Sequence, residues 1–421
     1  MSTRHKIKEL VRNLLRKTNT YRTECRNLNR CFSVDELEHL ILQFINDVPY
    51  YNKNYKDFVR RDFDIKRFPI LTKDDILGHE REFLSKKYNP LFCFKTETGG
   101  SSGKSLSLFY SWNTIKRKDA LPDSLFAKFG KKNLRIAMLR GTKPSNGQLY
   151  EVVNKRLVLL SSYLLTSGTV DDYLNIIKSK KIECIHAYPS SITILAKLIK
   201  DKYTSVNLPN LKGIFASSEI FSKEDQQLVR DAFGGVDLID YYGMSELCCA
   251  AHSFNGSNYM FNSQFGYVEF VDTEEKTDAG NKVARIVATS VMNSTMPLIR
   301  YDTGDMAEVD NNGNVVSIIG RSADYVLNKQ HELMPCILLT RNRSLENVIA
   351  FQFYQPSPGI LEFHILINEK FSEDNRVSLL EDLTDSFPLK VMDCSIVVKD
   401  HLVKSRLGKL LRLVKNRSID S

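Results

Sequence analysis

The chain has 421 residues, 42% hydrophobic and 26% charged, a balance that suits a globular protein with one large domain and one or two smaller ones. No apolar run approaches the roughly 20 residues that span a bilayer, and the N-terminus lacks a signal-peptide core, so a cytoplasmic protein without a transmembrane segment is expected. Lys and Arg number 59 against 50 Asp and Glu, a formal net charge of +9. The basic residues are scattered and form no zinc-finger or RNP-type signature, which argues against nucleic acid and leaves a polyanionic small molecule or an anionic surface to account for the charge. Eight cysteines in no paired framework suit a reducing compartment.

The first element in chain order is "HKIKELVRNLLRK", which places Ile7, Leu10, Val11, Leu14 and Leu15 on one helical face and Lys and Arg on the other. Such a helix packs on a core with its basic face solvated, or lies on a membrane as a weak peripheral contact. Residues to about Asn89 read as helical and polar, with turns at "DVPYYNKN" and "RFPILTKDD". The stretch "KTETGGSSGKSLSLFYS" (Lys95 to Ser111) then looks like a phosphate-binding P-loop, but Thr98 stands where a Walker A loop requires glycine. What remains is a run of glycines, hydroxyls and one lysine able to offer donors and charge to phosphate oxygens, or else an ordinary polar hairpin loop.

From Lys95 onward, short apolar runs alternate with amphipathic helices, the pattern of a parallel sheet with crossover helices. A helix around Asp172 to Ser179 precedes a strand "IECIH". Pro189 opens a helix with Ile192, Leu195, Ala196 and Ile199 on one face, and a strand "LKGIF" follows. A helix capped by Ser222 stops at Gly234-Gly235, before a strand "VDLID". Each strand is followed at once by a polar or aromatic cluster: "AYPSS", "ASSE" and "YYGMSE". Ligands of open α/β sheets bind outside the carboxyl ends of strands, so three clusters in that position point to a site, although any one of them alone reads as a plain turn.

Further on, "RYDTGDMAEVDNNGNVVSIIGRSADYV" reads as antiparallel strands around the "NNGN" turn, with Asp305 and Arg321 at its ends. The strands "ILEFHILI" and "DCSIVVKD", with the helix "SEDNRVSLLEDLTDSF" between them, form a small α+β module that ends in "VKSRLGKLLRLVKN". The expected organisation is α/β: a large domain over 1–323, with a helical leading segment over 1–90, and a small domain over 324–421. In "ELCCAAH", Cys248, Cys249 and His252 offer only a Cys-x-x-His pair, with no partner pair at zinc spacing.

In order, the chain supplies a Gly/Ser/Thr loop, a Ser-Glu after a strand, "YYGMSE", "YDTGD", "GR" and a C-terminal "GK". From about Asp57 to Arg412 this ordered set resembles the adenylate-forming superfamily, in particular its phenylacetate-coenzyme A ligase branch and the CapK-type relatives of capsular polysaccharide biosynthesis. The resemblance implies ATP and Mg²⁺ as cofactors, a small carboxylic acid as substrate, and either a sugar-linked amine or hydroxyl or coenzyme A as acceptor. Carried onto this sequence, Thr98, Ser101, Ser102, Gly103 and Lys104 would hold the β- and γ-phosphates. Ser218 and Glu219, with the "YGMS" residues Tyr242, Gly243, Met244 and Ser245, would surround the nucleotide, with Tyr242 stacked on adenine. Glu246 would hold Mg²⁺, Asp305 the ribose hydroxyls and Arg321 ribose or phosphate. Lys409 would bridge the acid and the α-phosphate, and Tyr188, Phe215 and Ala216 would line an apolar acyl pocket with no obvious charged anchor. The chain departs from the family pattern at Ser105, where proline is usual, and at Ala323, where relatives carry a hinge Asp or Lys that Asp324 replaces one position late. A non-catalytic nucleotide-binding relative is the alternative that Ala323 raises.

Overall fold

Between Val170 and Gly243 the helices and strands fall where the spacing of apolar residues predicts them. The helix Val170–Ser179 buries Val170, Tyr173, Ile176 and Ile177, and the helix Pro189–Lys202 buries Ile192, Leu195, Ala196 and Ile199. Each such Val, Ile or Leu side chain removed from water contributes roughly 1.5–3 kcal/mol. In the helix Lys223–Ala232 the Ser222 hydroxyl accepts the Asp225 amide, satisfying a donor the first turn would otherwise orphan. The computed structural model describes residues 18, 21, 32–59, 63–98, 105–130, 133–141, 144, 147–277, 279–321, 325–331, 333–335, 345–387, 389–405 and 409–416. The N-terminal amphipathic segment, Ser101, Ser102, Gly103 and Lys104 of the glycine-rich loop, and Ala323 and Asp324 lie outside them.

The chain folds into two compact units, each assembled from two separate stretches: Met1–Asn133 with Ile239–Ile318, and Leu134–Leu238 with Ile319–Ser421. In the first, the strands Gly266–Lys276, Lys282–Ser290 and Tyr301–Val309 follow one another in a sheet in sequence order, continued by the strand Val315–Arg321, whose residues up to Ile318 belong to this unit, as the hairpin pattern around "NNGN" predicts. Helix Val34–Asp47 is closed at its start by a capping box between Ser33 and Glu36. Arg300, in the left-handed region at φ 48°, grips Glu269 with Nε and Nη2 at 2.9 and 3.0 Å and donates Nη1 to the Lys66 and Phe68 carbonyls at 3.0 and 2.5 Å. That fork, possible only for a guanidinium, ties the residues ahead of the glycine-rich loop to the sheet.

In the second unit, parallel strands Ile136–Leu139, Cys184–Ala187 and Gly213–Ser217 lie side by side, Leu139 opposite Ala187 and Ala187 opposite Ala216. The strand Gly213–Ser217 runs two residues past its apolar run, and Ala216 still pairs with Ala187 of the neighbouring strand. The C-terminal part of this unit has its own core around Phe353, Phe363, Leu379, Leu383 and Phe387, where strands Val348–Ser357 and Ile360–Ile367 pair antiparallel and helix Glu373–Ser386 covers them. Strands Asp393–Val398 and Leu413–Lys415 add in parallel at the two edges. No helix among the described residues is long and apolar enough to cross a membrane.

Gly266 opens its strand so close to a neighbouring backbone that an added Cβ would sit 1.6 Å from the Cys248 carbonyl oxygen and 2.8 Å from that of Thr289. Backbone atoms cannot swing aside as a side chain can. Gly266→Ala is therefore expected to destabilise the protein by more than about 4 kcal/mol, read as a lowered urea midpoint, or to prevent accumulation of folded protein.

Candidate active site

The "DTGD" segment earns its glycine from local geometry. Val287 pairs with Asp302 and Arg285 with Met306, so Ile286 alone faces Thr303, Gly304 and Asp305. This bulge needs a left-handed residue, which Gly304 supplies at φ 71°. The Thr303 hydroxyl donates to the Ile286 carbonyl at 2.8 Å and accepts the Asp305 amide at 3.1 Å, replacing the lost ladder bonds. The bulge re-aims the Asp305 carboxylate, which accepts the Tyr242 hydroxyl at 2.8 Å. Burial first, and then the Asp305 charge, hold the Tyr242 phenol well above its ordinary pKa, so it stays a donor. The ring of Tyr242 meets Phe261 edge-on at 6.0 Å.

Tyr242 and Gly243 are the last residues of strand Asp237–Gly243, paired antiparallel with Ala251 and Ala250. The strand Ala250–Phe254, which the sequence reading leaves unassigned, thus fixes the turn Met244–Cys249 between two paired strands. In that turn the Ser245 carbonyl accepts the Tyr110 hydroxyl, and the buried Glu246 carboxylate accepts that of Tyr301 at 3.3 Å. The Cys248 and Cys249 thiols face the Met244 sulfur at 3.7 and 3.8 Å, and His252 Nε2 meets Lys128 Nζ at 3.1 Å. No cluster of three or more His, Cys, Asp or Glu suited to a metal occurs among the described residues. At the base of the glycine-rich loop, the buried Thr98 accepts the Leu106 amide at 2.9 Å through its hydroxyl and the Ser105 hydroxyl at 2.7 Å through its carbonyl. The loop is thereby pinned at its neck by the hairpin Phe94–Glu97 and Ser107–Tyr110.

The second unit gathers its own group at the carboxyl ends of its parallel strands. Glu219 accepts the Ser190 amide at 2.9 Å in the first turn of helix Pro189–Lys202, and accepts the Leu410 amide at 3.2 Å with its other oxygen. Lys409 is tied to Ser405, donating its amide to the Ser405 hydroxyl at 3.2 Å and accepting the Ser405 amide at 2.8 Å, and its Nζ stands 5.9 Å from the centre of the Tyr188 ring. Phe215 meets His186 edge-on at 5.1 Å, while Ala216 is wholly buried in the core of this unit. Arg321 ends its strand.

Two residues here escape the sequence reading. Arg140 places its guanidinium 4.9 Å from the centre of the Tyr188 ring and donates Nη1 to His186 Nε2 at 2.9 Å and Nη2 to the Ser218 hydroxyl at 2.9 Å. Burial and then the Arg140 charge hold the His186 imidazole well below its ordinary pKa, so it is neutral and accepts at Nε2. Ser218 adopts φ 76°, a left-handed conformation costly for a residue with a side chain. The only sequence signal for Arg140 and His186 is their position at the carboxyl ends of strands, and the wall beside Tyr188 is charged where apolar walls were expected.

No family model matches the chain. Its structure is similar to a crystal structure of 2-hydroxyisobutyryl-CoA ligase in the postadenylation state in complex with R3-HIB-AMP, with TM-score 0.63 at 14% identity, covering 91% of this chain and 88% of that one. The same ligase in complex with 2-HIB-AMP gives TM-score 0.62 at 15% identity. The fold is that of the adenylate-forming ligases. In sequence the chain is similar to Protein CapK of Staphylococcus aureus, 24% identical over 398 residues and covering 87% of this chain and 86% of CapK. It is also similar to phenylacetate-coenzyme A ligase of Thermus thermophilus, 21% identical over 413 residues, covering 92% and 89%. The resemblance read from the ordered motifs is borne out.

Beneath the site, in the strand that carries Tyr242, burial pushes the Asp240 carboxyl up to about 7 although the Tyr259 hydroxyl donates to it. The folded protein thus keeps a proton that the unfolded chain releases near pH 4. Stability is lost as pH rises from about 4 to about 7 and then levels, a contribution on the order of 4 kcal/mol at most. Asp240→Asn is expected to flatten this slope in urea titrations between pH 5 and 8. An unchanged slope would show that Asp240 is ionised in the folded state.

Proposed function

We propose that the protein is an ATP-dependent, AMP-forming ligase that activates a small carboxylic acid as its acyl-adenylate. The observation that carries this reading is the similarity of fold, over 91% of the chain, to a ligase crystallised with an acyl-AMP. The pairing of Tyr242 with Asp305 on a purpose-built bulge supports it, because a carboxylate set beside a phenol donor is suited to accept ribose hydroxyls.

In this reading a carboxylate oxygen of the acid attacks the α-phosphorus of ATP. A new P–O bond forms, the bond to the bridging oxygen breaks, and pyrophosphate leaves with the electron pair. Two anions approach each other, so the catalytic demand is charge compensation at the α-phosphate. Lys409 supplies it, bridging the acid and the α-phosphate. Thr98, Ser101, Ser102, Gly103 and Lys104 hold the departing phosphates, Arg321 faces ribose or phosphate, and Ser218, Gly243, Met244 and Ser245 line the nucleotide. Mg²⁺, when bound, screens the phosphate charge, and the buried Glu246 carboxylate is a hard oxygen donor that would hold it. The module from residue 324, pivoting at Ala323 or Asp324, would carry Lys409 in and out.

Lys409→Ala is expected to lower acid-dependent exchange of labelled pyrophosphate into ATP by about 10²–10³-fold while leaving ATP binding nearly intact. Unchanged exchange would remove Lys409 from the reaction.

In the second step a nucleophile attacks the acyl carbon, loses its proton, and displaces AMP. The similarity to CapK favours a sugar-linked amine or hydroxyl as acceptor in surface polysaccharide assembly, and the similarity to phenylacetate-coenzyme A ligase favours coenzyme A. The stronger likeness and the departures at Ser105 and Ala323 support the first. Purified protein with acid, ATP and Mg²⁺ is expected to yield a hydroxamate with hydroxylamine but little acyl-coenzyme A. Rapid, stoichiometric thioester by mass spectrometry would assign coenzyme A instead.

A further inference from the structure

Arg140 is a cation with an unusual set of partners. It hydrogen-bonds a neutral imidazole and a serine hydroxyl and meets the side chain of Tyr188, and the one carboxylate whose charge reaches it is that of Glu219. Its Nε is buried with no hydrogen-bond partner among the described residues. Removing a guanidinium from water without a direct anionic partner is expensive, and buried charges are normally paired with anions. Protonating His186 to take part of the burden only adds a second positive charge, and burial together with Arg140 keeps that imidazole neutral. Glu219 supplies negative charge nearby, while its two oxygens accept the Ser190 and Leu410 amides. The group therefore holds a fixed, oriented positive charge, with the exposed Ser218 hydroxyl beside it and Lys409 facing the same Tyr188 ring.

A structural role alone would be served better by an apolar residue on the Leu139–Ala187–Ala216 layer, where the strands already pack without polar help. A left-handed serine at 218 is likewise not required by strand pairing, since the strand has ended at Ser217. Strain of this kind persists where the surroundings enforce a particular aim for a side chain.

We propose that Arg140, oriented by His186 and Ser218, is the anchor for a second oxyanion at the far end of the acid that the protein activates, so that the substrate class is a dicarboxylic acid rather than a simple fatty or aryl acid. The proposal rests on the adenylation reading for the word substrate. Lys409 meets the reacting carboxylate and Arg140 the distant one, so a monoacid of equal length fills the site but leaves the guanidinium unpaired. Sites built to pair a polar group reject ligands lacking it more strongly than apolar pockets reject a missing methylene.

The test is a binding measurement that needs no turnover. Full-length protein is titrated calorimetrically with matched pairs: glutarate against pentanoate, adipate against hexanoate, and terephthalate against 4-methylbenzoate. The expected result is that at least one diacid binds about tenfold to a hundredfold tighter than its partner. Arg140→Gln should erase that preference, with Arg140→Lys and Ser218→Ala each retaining part of it. The two milder variants keep the test decisive if Arg140→Gln does not fold. Equal or tighter binding of the monoacid in every pair, no detectable binding of any diacid, or a loss of ATP affinity in the Arg140 variants with acid preference unchanged would each overturn the anchor. Pyrophosphate exchange with the same acids separates the two readings. An Arg140-dependent diacid preference without exchange refutes adenylation and keeps the anchor, whereas exchange driven as well by monoacids keeps adenylation and refutes the anchor.

Discussion

The register of three parallel strands governs what this protein can bring together. Because Leu139, Ala187 and Ala216 lie opposite one another, the chain leaves the three strands at the same end of the sheet: at Arg140 from the first, at Tyr188 from the second, and, after Ser217, at Ser218 and Glu219 from the third. A slip of one position would turn each of these side chains to the other face of the sheet. The apolar seam of the core thus sets the polar geometry above it, since the same pairing that buries Ile185 and Ile214 delivers the guanidinium to the imidazole. The helix Pro189–Lys202 is locked to this level by Glu219, which meets an amide of its first turn where the helix dipole favours negative charge.

The two units solve the same electrostatic problem in opposite ways. In the first, a carboxylate is balanced by neutral phenols: Tyr242 on Asp305, Tyr301 on Glu246. In the second, a cation is balanced by a neutral imidazole and a hydroxyl. A hydrogen bond to a neutral partner does not by itself cancel a charge. Direct ion pairing would have been the more stable choice for structure alone, as Arg300 and Glu269 illustrate in the framework of the first unit. Groups meant for a ligand retain charge, and groups meant for the fold spend it internally.

Much of this was legible beforehand, for reasons that differ by element. The helices Val170–Ser179, Pro189–Lys202 and Lys223–Ala232 announce themselves through 3.6-residue periodicity and the Ser222 cap. Asp305 could be singled out because "DTGD" is unusual, but the reason for its glycine, a bulge opposite Ile286, depends on a partner strand that no local pattern reveals. The strand Ala250–Phe254 was missed because "CCAAHSF" is apolar on both faces, without the alternation that marks a half-exposed strand. Arg140 and His186 are invisible for a deeper reason. Arg140 sits in a basic stretch and His186 within an apolar one, and only their 46-residue separation closing to 2.9 Å gives either a meaning.

Each unit is assembled from two stretches of chain that are far apart in sequence, and this dictates an order of events during synthesis. The residues that emerge up to Leu238 can form their parallel strands and crossover helices, but Glu219 must wait for Leu410, 191 positions later, and strand Val348–Ser357 for Leu413–Lys415. The intervening stretch Ile239–Ile318 has to settle on residues before Asn133 in the meantime. Contacts separated so widely in sequence make for slow closure, and half-finished sheets with open edges invite wrong pairing. The nascent protein therefore passes through an extended interval in which the bed for its ligand is half built, a vulnerability to which chaperones and translation speed are the natural answers.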